Sequence, residues 1–116
     1  MIFAIKKIYK DYLNDERNEE NLLREIKINL HLNDKNVIKL YHVFSDQNNL
    51  YMVMEPMIEG DLWNLTKKQH HITEKNTKKI ITNICKGVSY IHEKDIIHRD
   101  LKLENILLTN VSNVLF

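Results

Sequence analysis

Met1 to Ile8 is mostly apolar and reads as a strand, with Ile2, Ala4 and Ile8 on one side and Phe3 and Ile5 on the other. Asp11 to Glu20 is polar and charged and reads as a loop running into a helix. From about Glu19 to Leu32 the pattern changes, and Leu22, Leu23, Ile26 and Leu30 form one helical stripe. Val37 to Phe44 and Leu50 to Met54 are apolar runs around the turn-rich segment Ser45–Asn49, which predicts an antiparallel hairpin. Pro56 and Gly60 then mark an extended linker, and Asp61 caps a helix carrying Leu62, Trp63 and Leu65. Thr73 caps the longest helix, with Glu74 in its first turn and Lys94 near its end. Ile80, Ile81, Ile84, Cys85, Val88 and Ile91 give that helix a wide apolar face. Two short apolar strands, Ile96-Ile97 and Ile106-Leu107-Leu108, enclose the polar stretch from His98 to Asn105.

Composition narrows this picture without naming a chemistry. A chain of 116 residues has room for one domain at most. Its net charge of +1 provides no global field toward nucleic acid or an anionic membrane, and neither partner is expected. No apolar run reaches the length of a bilayer span, and Met1–Lys6 is too short for a signal peptide. Cys85 is the one cysteine, so no internal disulfide forms, and a cytoplasmic or nuclear location is the expectation. On its apolar face Cys85 reads as a core residue, since nothing adjacent would make it a thiolate. His70 and His71 lack a third ligand at workable spacing and read as loop residues. The two glycines, Gly60 and Gly87, lie in no phosphate-binding pattern.

Candidate chemistry is concentrated in His98-Arg99-Asp100-Leu101-Lys102-Leu103-Glu104-Asn105. Phosphoryl transfer needs a carboxylate to orient the attacking hydroxyl, a cation near the moving group and an oxygen ligand for Mg²⁺. Asp100, Lys102 and Asn105 are residues of those types at short spacing. The stretch fits H-R-D-L-x-x-x-N at every fixed position and so resembles the catalytic loop of the eukaryotic protein kinases. Phe3-Ala4-Ile5-Lys6 resembles the family's V-A-I-K strand and lies in the right order before it. Leu50 to Glu55 resembles the last small-lobe strand entering the hinge.

The resemblance implies roles for particular residues. Asp100 would accept or orient the substrate hydroxyl proton, Lys102 would neutralise charge on the transferring group, and Asn105 would ligate Mg²⁺. Lys6 would reach the ATP phosphates and pair with Glu25 of the first helix, though most helix acids are simply solvated. Ala4 and Leu107 would line the adenine, Met54 would be the gatekeeper, and the backbone of Glu55 and Met57 would bond the adenine edge. Asp61 would bond the ribose, a role compatible with capping. Lys102, two places after Asp100, resembles the serine/threonine kinases, which implies a protein substrate with a Ser or Thr acceptor.

The implied fold is α+β, a partial two-lobe kinase: a small-lobe part over 1–55, a hinge over 56–62 and a large-lobe part over 63–116. Two positions depart from the family pattern: Asn29 stands where an apolar residue is usual, and Asp34-Lys35-Asn36 replaces His-Pro-Asn. No Asp follows Asp100, so the D-F-G metal carboxylate is not in the sequence. The expectation is therefore part of a longer kinase, with flanking kinase segments or a partner covering the apolar face around Ile80–Ile91. A noncatalytic kinase-like binding module, or an unstable remnant, is the alternative.

Overall fold

The computed structural model describes residues 2–13, 15–110 and 113–115. The chain forms two compact units, residues 1–33 with 39–56 and residues 34–38 with 57–116. The first contains β1 (Ala4–Tyr9), α1 (Glu16–His31), β2 (Leu40–Ser45) and β3 (Asn49–Met54). Its sheet is antiparallel with the order β1-β3-β2, as the α+β reading requires. In the β1–β3 register Ala4, Lys6 and Ile8 lie opposite Met54, Met52 and Leu50. Side chains alternate across a strand, so these six positions share one face. That face meets α1: Ile26, Leu40 and Met52 form the buried core, with Ile8, Leu22, Val43, Leu50 and Met54 packed around it.

Helix α1 starts at Glu16, one turn earlier than the apolar stripe predicts. Its first turns carry no apolar residue before Leu22, so periodicity has nothing to register there. The start is fixed instead by Asp15, whose carboxylate accepts a hydrogen bond from the Arg17 amide at 3.1 Å. Asn29, the polar departure, is half-buried and satisfied within the helix, its Nδ2 donating to the Glu25 carbonyl at 3.0 Å. The hairpin also starts later than its apolar run, at Leu40. Val37 is instead buried in a turn of the other unit, where its amide bonds the Asp34 carbonyl at 3.2 Å. In that turn the Asp34 carboxylate accepts from the Asn36 amide at 2.8 Å.

Asp46 closes the hairpin. Its Oδ1 accepts from the amides of Asn48 (2.8 Å) and Asn49 (2.7 Å), and its Oδ2 from the Tyr51 hydroxyl (2.8 Å). The Tyr51 hydroxyl foremost, then these amides, hold the Asp46 carboxyl down at about 2. A depressed carboxyl stabilises the turn above its ordinary value near 3.8, and that contribution is lost as pH falls toward 2. Tyr51→Phe should move the Asp46 midpoint upward in a carbon-detected NMR titration; an unchanged midpoint would assign the depression to the amides alone.

The second unit contains α2 (Leu62–Gln69), α3 (Glu74–His92), β4 (Leu107–Asn110) and β5 (Asn113–Leu115). Asp61 caps α2 through the Asn64 amide (2.7 Å), and Thr73 caps α3 through the Asn76 amide (3.3 Å). His70 ends α2 in the left-handed conformation, and both His70 and His71 lie between the helices. On α3 the buried line is Ile80, Gly87 and Ile91, positions i, i+7 and i+11 of one narrow stripe. The apolar face is wider than the buried one: Ile81 is 53 % exposed, and Cys85 is exposed, not a core residue. The expected strand at Ile96-Ile97 does not form among the described residues, and Ile97 is 70 % exposed. Only the second flank, Leu107-Leu108, is a strand, and it pairs with β5.

Candidate functional site

The stretch singled out in the sequence lies between the end of α3 and β4, and each end is held by backbone hydrogen bonds. At the α3 end Asp95 takes a left-handed conformation (φ 59°). Its amide bonds the His92 carbonyl at 3.0 Å, and the Ile96 amide bonds the Ile91 carbonyl at 3.0 Å. This is the Schellman arrangement, with Asp in the position glycine usually takes. At the other end the Leu62 amide bonds Ile106 O and the Leu108 amide bonds Gly60 O, both at 2.8 Å. Asp61 and Leu107 face each other across an antiparallel bridge. Ile106 and Leu108 are buried there, so the loop leaves from a fixed edge.

Between these anchors the chain doubles back. Arg99 adopts φ 67°, Lys102 is extended, and Leu103–Asn105 forms a single 3₁₀ turn closed by the Asn105 amide on Lys102 O (2.9 Å). The fold returns Asn105 to Asp100: Asn105 Nδ2 donates to the Asp100 carbonyl at 2.8 Å and to Asp100 Oδ2 at 3.0 Å. Lys102 Nζ lies 3.2 Å from the same Oδ2, the only ion pair among the described residues. The Asp100 amide in turn donates to His98 Nδ1 at 3.2 Å. Sequence reasoning linked Asn105 to a metal, missing that it and His98 both hold Asp100.

Asp100 is open to solvent, yet its carboxyl is held below the ordinary 3.8, first by the Lys102 hydrogen bond and next by Asn105. It is anionic throughout the neutral range, as an ordinary carboxyl would be, and the two bonds extend that state to lower pH. With Asn105 Nδ2 committed to Asp100, the amide oxygen Oδ1 has no partner among the described residues. A neutral oxygen beside a carboxylate is hard-donor chemistry and fits Mg²⁺, which keeps waters and shares itself with phosphate oxygens. No cluster of three or more His, Cys, Asp or Glu side chains exists among the described residues, so these groups would be partial ligands only.

The first unit carries the other residues singled out. Ala4 and Lys6 lie on the sheet face that meets α1, and Lys6 is exposed. Glu25 precedes the buried Ile26 on α1 and is exposed as well. Among the described residues no ion pair joins Lys6 to Glu25. Met54 ends β3, and the Glu55 amide continues the ladder by bonding Lys39 O at 3.0 Å. In the second unit, the Met57 carbonyl accepts from the Gly60 amide at 3.4 Å, with Gly60 at φ 76°. Both carboxylate oxygens of Asp61 are engaged by Asn64, through its amide and its Nδ2.

The protein kinase domain model matches residues 1–115. The chain belongs to the protein kinase family. This kinase chain is 35 % identical over 113 residues to human NUAK family SNF1-like kinase 1, covering 97 % of the chain and 17 % of that protein. It is 36 % identical over 107 residues to mouse Aurora kinase B, covering 92 % of the chain and 31 % of the relative. Against the Caenorhabditis elegans cGMP-dependent protein kinase egl-4 it is 33 % identical over 108 residues, 93 % of the chain and 14 % of that protein. The kinase chain thus spans well under half the length of these relatives.

Proposed function

We propose that this chain carries the catalytic loop of a protein serine/threonine kinase, which transfers the γ-phosphoryl group of ATP to a Ser or Thr hydroxyl of a protein. The observation that carries this reading is the Asp100–Lys102–Asn105 assembly, with Asp100 held anionic by the other two. Asp100 would accept a hydrogen bond from the substrate hydroxyl and orient its oxygen toward the γ-phosphorus. A carboxylate of lowered basicity suits orientation more than early proton removal, and a loose transition state demands little more. The proton would pass to Asp100 as the new O–P bond forms and the bond to the ADP oxygen breaks. Lys102, paired with Asp100 in the free loop, would swing its ammonium toward the charge on the transferring group.

Asn105 would offer Oδ1 to Mg²⁺ while Nδ2 keeps Asp100 in place. The metal, when bound, would neutralise phosphate charge. In the first unit Lys6 would bind phosphate oxygens and Glu25 would position Lys6, while Ala4, Met54 and the Glu55 backbone would meet the adenine. In the second, Met57 and Leu107 would do likewise and Asp61 would bond the ribose. Among the described residues Lys6 and Glu25 form no ion pair, and that favours a second reading, a noncatalytic module of kinase shape.

Incubation with γ-labelled ATP, Mg²⁺ and a mixed Ser/Thr peptide library distinguishes the two readings. Label on Ser or Thr that disappears when the metal is chelated is the expected result. A folded chain that binds peptide and transfers no label would replace the kinase reading with the module.

A further inference from the structure

Charge is unevenly distributed along the chain. Residues 67–79 contain five lysines (Lys67, Lys68, Lys75, Lys78 and Lys79) against the single acid Glu74, in a chain whose overall charge is +1. At 100° per residue Lys75, Lys78, Lys79 and Lys86 fall on one stripe of α3, opposite the buried line of Ile80, Gly87 and Ile91. The stripe runs for about 16 Å at 1.5 Å per residue. All four are exposed, and none forms an ion pair among the described residues. Two acids flank them, Glu74 one turn before Lys78 and Glu93 beyond the helix end, and Glu93 accepts from the Ser89 hydroxyl at 3.4 Å.

We propose that the lysine face of α3 docks an acidic segment of a partner protein. Charge complementarity carries the assignment, since one row of solvated ammonium groups attracts and aligns an extended run of carboxylates. The stripe contains no Arg, the residue that grips phosphates in a bidentate way, and the aromatic ring one turn beyond Lys86, that of half-buried Tyr90, is already covered by Lys94 Nζ at 5.1 Å. Trp63, the nearest exposed indole, has its ring covered by Lys67 Nζ at 4.8 Å. The exposed apolar flank of the stripe is Ile81 and Cys85 alone among the described residues of α3, less than the apolar second signal that membrane anchoring needs. This docking is separate from phosphoryl transfer, and its test requires no catalysis.

Fluorescence anisotropy on the full chain with a labelled glutamate-rich peptide is the direct test. The peptide should bind, lose affinity with added salt, and bind about tenfold more weakly to the triple variant K75E/K78E/K79E. The milder K75Q/K78Q/K79Q should fall between, while K27E/K35E, which reverses exposed lysines elsewhere, should bind as the parent does. Equal binding by the parent and both triple variants would overturn the proposal. Tighter binding of duplex DNA, or of vesicles of phosphatidylserine and phosphatidylcholine, than of the peptide would overturn it too.

Discussion

Asp100→Asn should lower the phosphoryl-transfer turnover of the polypeptide carrying this loop by about 10²–10⁴-fold, with the KM for ATP little changed. The substitution keeps the side chain's size and leaves an amide oxygen for Asn105 Nδ2, which lies 3.0 Å from Oδ2 in the native loop. What it removes is the negative charge that attracts the hydroxyl proton and pairs with Lys102 at 3.2 Å. The loss should therefore appear in kcat, not in nucleotide binding. Steady-state kinetics on purified parent and variant separate the two. A variant with parental kcat would remove Asp100 from the chemistry.

Leu108→Ala should cost about 2–5 kcal/mol of stability, the range for truncating a buried leucine. Leu108 is 2 % exposed, the most buried large side chain among the described residues. Its amide bonds Gly60 O at 2.8 Å and its carbonyl accepts from Glu59 at 3.1 Å, so a cavity there also loosens the anchor of the loop. Leu101→Ala, at an exposed position in the same loop, should stay within about 0.5 kcal/mol of the parent. Urea unfolding followed by circular dichroism gives both values. Equal losses would mean that the β4 anchor does not carry the second unit.

Much of the fold could be read where periodicity and turn chemistry agree. The three-stranded sheet follows from short apolar runs and the polar turn at Asp46, and the α2 and α3 starts follow from Asp61 and Thr73. Legibility fails where a pattern is silent or too generous. The first turns of α1 are all polar and so carry no stripe, and only the cap Asp15 marks the start. On α3 the apolar arc is wider than the arc the unit buries, which leaves Cys85 and Ile81 outside. Ile96-Ile97 has the residue types of a strand but follows a Schellman turn, where its backbone finds no ladder.

The candidate site was legible as residue types in a fixed spacing, because the catalytic-loop pattern is a sequence pattern. Its internal wiring was not. The bonds from Asn105 back to Asp100, and from the Asp100 amide to His98, depend on the left-handed Arg99 and the 3₁₀ turn that follows. A non-glycine residue at positive φ leaves no mark in hydrophobic patterning.

Lys102 and Asn105 hold the Asp100 carboxylate in place before any ligand arrives. The most direct test is a carbon-detected NMR titration of the Asp100 carboxyl in the parent, Lys102→Met and Asn105→Ala chains. The parent midpoint should lie below the ordinary 3.8 and move upward in each variant. Because the folded value is the lower one, the ordering of the loop should be complete above about pH 4 and be lost as pH falls through the parent midpoint. A parent carboxyl that titrates at its ordinary value, unmoved by either substitution, would mean that neither side chain holds Asp100 in solution.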